Sequence, residues 1–148
     1  MALPPFKQPS EQRSRNMRAI RSSRNSTTEK RLAALLRQWQ IRGWQSHSRD
    51  VVGKPDFLNR HGRVAVFADG CFFHGCPLCG HIPATNRAYW TEKIERNKSR
   101  DLRISRTLRR LGYRVVRIRE CQLRTKPTWC VDRIVRALQS PKLAARRR

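Results

Sequence analysis

At 148 residues the chain has room for one domain with a single modest core. Its 34 lysines and arginines against 10 aspartates and glutamates leave a formal net charge of +24, spread from Lys7 to Arg148; this excludes a neutral domain with a basic tail and selects a polyanion, nucleic acid first, as partner. No apolar run reaches membrane-spanning length, and no amphipathic segment is rich enough in large apolar residues for a membrane surface.

The opening MALPPFKQPSEQR lacks the apolar stretch of a secretory leader, so export is not expected and the expected compartment is the cytoplasm. In a reducing compartment the five cysteines point to metal or chemistry rather than disulfides. Residues 1–12 begin with a proline-rich stretch and read as a disordered lead. SEQRSRNMRAIRSSRNS follows, a basic arm with only Met17, Ala19 and Ile20 as apolar contacts, expected to order on a partner. Ser26-Thr27-Thr28-Glu29 reads as a capping box opening a helix, and Leu32, Leu35, Leu36 and Trp39 make its apolar stripe. IRGWQSH reads as a short strand. DFLN, a His61-Gly62 turn and RVAVFAD read as a β-hairpin. After a cysteine-rich loop, YWTEKIERNKSRDLRISRTLRRLG has the period of a long helix, with Trp90, Ile94, Ile104, Leu108 and Leu111 on one face and Gly112 as its stop. YRVVRIRE is a strand, Trp129, Ile134, Val135 and Leu138 mark a final short helix, and residues 140–148 form a basic tail. The order α-β-β-β-α-β-α predicts a single mixed α/β domain over residues 13–139, without repeats.

The loop DGCFFHGCPLCGH, Asp69 to His81, carries most of the chemistry. Cys71-x4-Cys76-x2-Cys79 places three thiolates in one short segment. A closed structural zinc site takes four tetrahedral ligands, so the fourth must come from elsewhere. Cys121 directly follows YRVVRIRE and reaches the loop if that strand lies beside RVAVFAD; His74 and His81 compete for the position. The alternative is that these cysteines are small buried hydrophobes, the reading that suits Cys130 in the last helix.

Metal-assisted phosphodiester cleavage needs a carboxylate to hold the ion near the scissile phosphate. GKPDF sets Asp56 just after a glycine-proline turn at the start of a strand, and RVAVFAD ends in a second acid, Asp69. A Pro-Asp pair entering a hairpin, with a partner acid on the next strand, points to the restriction-endonuclease-like nuclease fold. A Pro-Asp dipeptide is also an ordinary turn.

The combination is more specific. RSRNMRAIRSSRNSTTEKRLAALLR, GKPDF, VAVFADGCFFHGCPLC, PATNRAYWTEKIERNKSRD and LRRLGYRVVRIREC occur in this order over roughly residues 13 to 123, and in them the chain resembles the Vsr-type DNA mismatch endonucleases of very short patch repair. The resemblance implies a magnesium-dependent enzyme that nicks double-stranded DNA 5′ to the thymine of a T·G mismatch. Such mismatches arise when 5-methylcytosine deaminates, so a cytosine-5 DNA methyltransferase is its implied companion; a monomer is expected. It further implies a restriction-endonuclease-like (PD-(D/E)XK-type) domain, a mixed sheet flanked by helices with a structural zinc.

Residue by residue, the resemblance makes Asp56 the magnesium ligand and Ala68 a second contact through its main-chain carbonyl. His74 is the implied proton shuttle, with a fourth zinc ligand as its alternative role. Glu29 belongs to the implied active site, although a capping role suits it equally, and Asp101 stands behind it. Asp69 occupies a position that is histidine in some relatives; it is an additional catalytic candidate, and could not donate a proton at neutral pH without a raised pKa. The implied zinc ligands are Cys71, Cys76, Cys79 and Cys121, Cys76 standing where some relatives have histidine. Phe72, Phe73 and Trp90 match intercalating aromatics that distort the duplex at the mismatch, with core packing as the alternative. Lys93 and Asn97 suit phosphate or base-edge contacts, and Asn16, Met17 and Arg18 belong to an arm that embraces the DNA. Phe73, Tyr113 and Arg119 depart from tryptophans common in the family. Two rival functions remain: a zinc-stabilised DNA-binding protein without catalysis, and a nickase of the same fold acting on paired DNA.

Overall fold

The structure, a computed structural model, describes residues 2–140, without the side chains of residues 13 and 17–26. Most of the expected basic tail and the side chains of Met17 and Arg18 therefore lie outside the described residues. In chain order the elements are α1 (Glu11–Gln38), β1 (Gln45–Ser46), β2 (Phe57–Asn59), β3 (Val64–Asp69), α2 (Arg87–Arg110), β4 (Arg114–Arg119), α3 (Glu120–Thr125) and α4 (Pro127–Gln139). The strands form one sheet in the order β1-β2-β3-β4. The first three are antiparallel to their neighbours, and β4 joins β3 in parallel. A parallel pair needs a crossover, and α2 supplies it.

Two boundaries differ from expectation. Helix α1 starts at Glu11, not at Ser26. A capping box satisfies the free N–H groups of a helix start; residues 11–38 contain no proline or glycine to stop the helix upstream, so Ser26 falls in its interior. The final helix is two helices. Pro127 lacks an N–H and pushes its predecessor out of the helical region, and Lys126 takes φ −138°, ψ 57° between α3 and α4, with Pro127 seated at the first position of α4. Trp39, Leu111 and Trp129, expected in apolar stripes, sit at helix ends beyond the sheet and are exposed.

The alternation of strand side chains builds two cores. Phe57, Val64, Val66, Val116 and Ile118 face α1, α3 and α4 through Leu32, Leu36, Leu123, Cys130 and Ile134, which puts Cys130 in the core as expected. Leu58, Ala65 and Phe67 face the opposite way and pack with Leu108 and Ile104 of α2 and with Tyr113. Asp69, two residues after Phe67, and Asp56, two before Leu58, belong by parity to the α2 face. The turn before Asp56 lies against that helix: a Cβ on Gly53, which has φ +79°, would come within 2.3 Å of Ile104 Cγ2. Among the described residues no helix is long and apolar enough to cross a membrane.

Candidate active site and metal centre

Because β3 and β4 run parallel with Asp69 opposite Arg119, the cysteine-rich loop and α3 leave the sheet from the same end. Cys121 therefore arrives beside the loop. The Cys121 N–H donates to Cys71 Sγ at 3.3 Å, the sulfurs of Cys76 and Cys121 are 3.7 Å apart, and the four sulfurs of Cys71, Cys76, Cys79 and Cys121 lie within 4.8 Å of one another. A tetrahedral ion with metal–sulfur bonds of about 2.3 Å needs sulfurs about 3.8 Å apart. The four cysteines can hold a metal ion, and the donor set fits zinc. Neither His74 nor His81 belongs to this group. Burial pushes the Cys71 thiol up. Burial also opposes ionisation of Cys76, but the main-chain N–H groups of Cys79 and Leu78 outweigh it and bring that thiol down to about 7. Gly80 closes the loop by donating to the Cys76 carbonyl at 2.8 Å; a Cβ there would stand 2.3 Å from the same oxygen.

Next to this centre a cleft of about 440 Å³ is lined by Glu29, Lys54, Asp56, Asp69, His74, Asp101 and Arg117, among others. Asp56 Oδ2 accepts a hydrogen bond from the Ala68 N–H at 2.7 Å. Burial nevertheless pushes Asp56 up to about 6, and the negative charges of Glu29 and Asp69 add to that rise. His74 Nδ1 lies 2.6 Å from Asp101 Oδ2 and 3.7 Å from Asp69 Oδ1. Burial would raise Asp101, but the His74 hydrogen bond and the Arg117 charge hold it below the usual carboxylate range.

Two residues that the sequence reading did not single out complete the arrangement. Arg117 Nη1 donates to both oxygens of Asp69, at 2.8 and 2.9 Å. Its Nη2 is 3.3 Å from Asp101 Oδ1, and the guanidinium lies 4.3 Å from the centre of the Phe67 ring. The signal for it was an arginine in mid-strand, on the face where Phe67 and Asp69 also fall. His47 follows β1; its Nε2 is 3.4 Å from Glu29 Oε2, and Glu29, His47 and Asp56 bring their ligand atoms within 4.8 Å of one another. Asp69, held by Arg117, is outside that group.

The aromatic residues gather on the other side of His74. Ring centres are 4.9 Å apart for Phe72 and Phe73 and 5.1 Å for Phe72 and Trp90. Trp90 is only 4% exposed, beneath Phe6 of the leading segment, whose ring is 4.7 Å from Tyr89 and 6.1 Å from Trp90. That segment is tied down by Lys7 and Asn86, each donating to the other at 3.0 and 3.1 Å. Phe72 and Phe73 are half-buried. Lys93 Nζ reaches the Tyr89 hydroxyl at 3.2 Å and lies over the rings of Tyr89 and Trp90. Asn97 donates to the Phe73 carbonyl at 2.9 Å, so it braces the loop. Asn16 is exposed on α1, remote in sequence from this group.

Residues 7–79 match the family model of DNA mismatch endonuclease Vsr, and the DNA mismatch endonuclease Vsr of Escherichia coli (strain K12) is 42% identical over 114 residues, covering 76% of this chain and 71% of that protein. The chain belongs to the Vsr family of DNA mismatch endonucleases. The Vsr relatives include the type II nicking enzyme V.NmeAIP of Neisseria meningitidis serogroup A / serotype 4A (strain DSM 15465 / Z2491), 35% identical over 67% of this chain and 71% of that protein. Another, V.XorIIP of Xanthomonas oryzae pv. oryzae (strain KACC10331 / KXO85), is 36% identical over 72% of this chain and 78% of that protein. The Vsr match spans Glu29, Asp56, Ala68, Asp69, His74 and the three loop cysteines. Trp90, Asp101, Arg117 and Cys121 lie beyond it and reach the same site through the fold.

Proposed function

We propose that this Vsr-family endonuclease nicks one strand of double-stranded DNA 5′ to the thymine of a T·G mismatch, using magnesium held at Asp56, in very short patch repair of deaminated 5-methylcytosine. The observation that carries the reading is the convergence of Asp56 and the His74–Asp101 pair in one cleft, with Phe72 and Phe73 immediately before His74 in the chain. The sheet, an antiparallel hairpin extended by a parallel strand with acids at one end, is compatible with the restriction-endonuclease-like fold.

In this mechanism the carboxylate of Asp56 and the main-chain carbonyl of Ala68 would hold the ion. When bound, the ion supplies Lewis-acid polarisation of the scissile phosphate and a more acidic water. The Ala68 N–H fixes one Asp56 oxygen and so orients the carboxylate. Asp101 fixes His74 through Nδ1, which leaves Nε2 to exchange a proton with the attacking water or the leaving oxygen. Arg117 ties Asp69 to Asp101, so Asp69 serves to position that pair. Phe72 and Phe73, backed by Trp90, enter the base stack beside the mismatch, at a cost of a few kcal/mol per unstacked step. Cys71, Cys76, Cys79 and Cys121 would hold zinc, which would keep the loop that carries Phe72, Phe73 and His74 in one shape. Lys93 and the α1 arm with Asn16, Met17 and Arg18 grip the backbone, and a cytosine-5 DNA methyltransferase supplies the methylated sites whose deamination makes the substrate. The enzyme acts as a cytoplasmic monomer.

Strand-specific nicking tests this. End-labelled duplexes that differ only in one T·G or C·G pair are incubated with wild type or Asp56→Ala, with magnesium or EDTA. The expected result is a magnesium-dependent nick 5′ to the mismatched thymine, absent in the variant. Equal cutting of both duplexes would reassign the protein to nickases of paired DNA. Binding without cutting over a panel of flanking sequences would remove the catalytic roles of Asp56 and His74.

A further inference from the structure

The acids of the cleft fall into two groups. Asp69 and Asp101 are both paired with Arg117, and Asp101 also lies against His74. Glu29 and Asp56 face each other in the half-buried part of the cleft, and among the described residues neither is paired with a lysine or arginine, although the chain carries a net charge of +24. What stands next to them instead is an imidazole. His47 Nε2 lies 3.4 Å from Glu29 Oε2, a separation that two ligands of one ion adopt when metal–ligand bonds are about 2.1 Å. All three ligand atoms lie within 4.8 Å of one another.

The backbone fixes this placement. The His47 N–H donates to the Asp56 carbonyl at 3.1 Å, continuing the pairing of Ser46 with Phe57 by one residue. His47 does so with φ +53°, in the left-handed region that side-chain-bearing residues rarely adopt. The three side chains come from α1, from the end of β1 and from the entry to β2, so sheet register and the seating of α1 together form the site.

We propose that Glu29, His47 and Asp56 jointly bind the divalent ion, with the His47 imidazole as a nitrogen ligand that adds tight binding of first-row transition dications such as Mn²⁺ and Co²⁺ to the Mg²⁺ binding proposed for Asp56. Magnesium favours oxygen donors and keeps its waters, whereas a nitrogen donor among two carboxylates suits the transition ions. This deepens the reading of Asp56 as the metal-holding carboxylate and rests on it.

The probe is Mn²⁺, which thiolates bind poorly, titrated by electron paramagnetic resonance into the full chain with its cysteine cluster loaded with zinc and without DNA. His47→Asn is the informative variant, because asparagine tolerates the left-handed backbone while removing the imidazole. The wild type is expected to bind one Mn²⁺ with a nitrogen coupling in its spin-echo modulation. His47→Asn should lose the coupling and weaken Mn²⁺ about tenfold or more, with Mg²⁺, read as a competitor, weakened less. Asp56→Asn should lose the ion. If Asp56→Asn loses the ion while His47→Asn keeps both affinity and nitrogen coupling, the His47 assignment is overturned and the magnesium reading of Asp56 stands. If neither substitution affects the ion, both fall. A thermal melt of His47→Asn matching wild type establishes that any loss is of a ligand, not of the fold.

Discussion

Asp56 is held in a place that opposes its own charge. Burial, then the nearby Glu29 and Asp69, outweigh the Ala68 amide and raise its pKa from 3.8 to about 6. The native state of the metal-free protein therefore binds a proton more tightly than the unfolded chain does. The stability from that proton is fully present below about pH 4 and is lost as pH rises through about 6, at most about 3 kcal/mol. Asp56→Asn removes this titration. Urea unfolding at pH 4.5 and 7 in EDTA should show wild type losing stability relative to Asp56→Asn over that interval; parallel behaviour of the two proteins would contradict the raised pKa. A bound dication would reverse the penalty, as the metal-holding role proposed for Asp56 requires. Arg117 donates to both oxygens of Asp69, so two acids on the same sheet face have different surroundings.

Helix α2 does two kinds of work along one stripe. Trp90, Ile94, Ser105 and Leu108 are its buried residues, and between them Asn97 and Asp101 turn to the loop at Phe73 and His74. The helix thus packs at its ends and positions the active site at its middle. Trp90→Ala should cost about 3–5 kcal/mol in urea unfolding, since a buried indole is removed. Phe73→Ala, at a half-buried position, should cost about 1 kcal/mol yet reduce nicking of the T·G duplex by more than tenfold. Equal stability losses with unchanged nicking by Phe73→Ala would assign Phe73 to packing instead of to DNA. This division also explains what could be read from the sequence. The strands and α2 were legible through their periods, and Asp56, His74 and the loop cysteines through dense local motifs. Cys121 needed one further step, the guess that YRVVRIRE lies beside RVAVFAD. His47 and Arg117 were hidden because their partners are set by sheet register and helix seating: Asp69 and Arg117 are 48 positions apart. The start of α1 is not legible because residues 11–25 carry no regular apolar stripe and the Ser26–Glu29 pattern imitates a helix start.

For the molecule as a whole, charge is distributed by use. Glu11, Asp50, Glu92, Glu95 and Asp132 are each taken up by a neighbouring arginine or lysine, as Asp69 and Asp101 are by Arg117. With 34 basic residues against 10 acidic ones, the acids are too few to neutralise most of the positive charge, which is left to attract phosphates. Neutralising phosphates releases condensed counterions, and six to ten such contacts lower affinity by roughly a thousandfold or more between 50 and 200 mM salt. A 20-base-pair duplex should therefore bind with a slope of log affinity against log salt of about −5 to −9. The wedge proposed for Phe72 and Phe73 would carry no charge, so on that proposal the preference for a T·G duplex over its C·G counterpart should stay nearly constant across that range while both affinities fall. Fluorescence anisotropy on the two duplexes at several salt concentrations measures both quantities at once. A slope shallower than about −3 would mean that the basic residues do not grip the backbone as a set. A preference that collapses with salt would mean that the mismatch is recognised through charge, not through the aromatic loop beside the cleft.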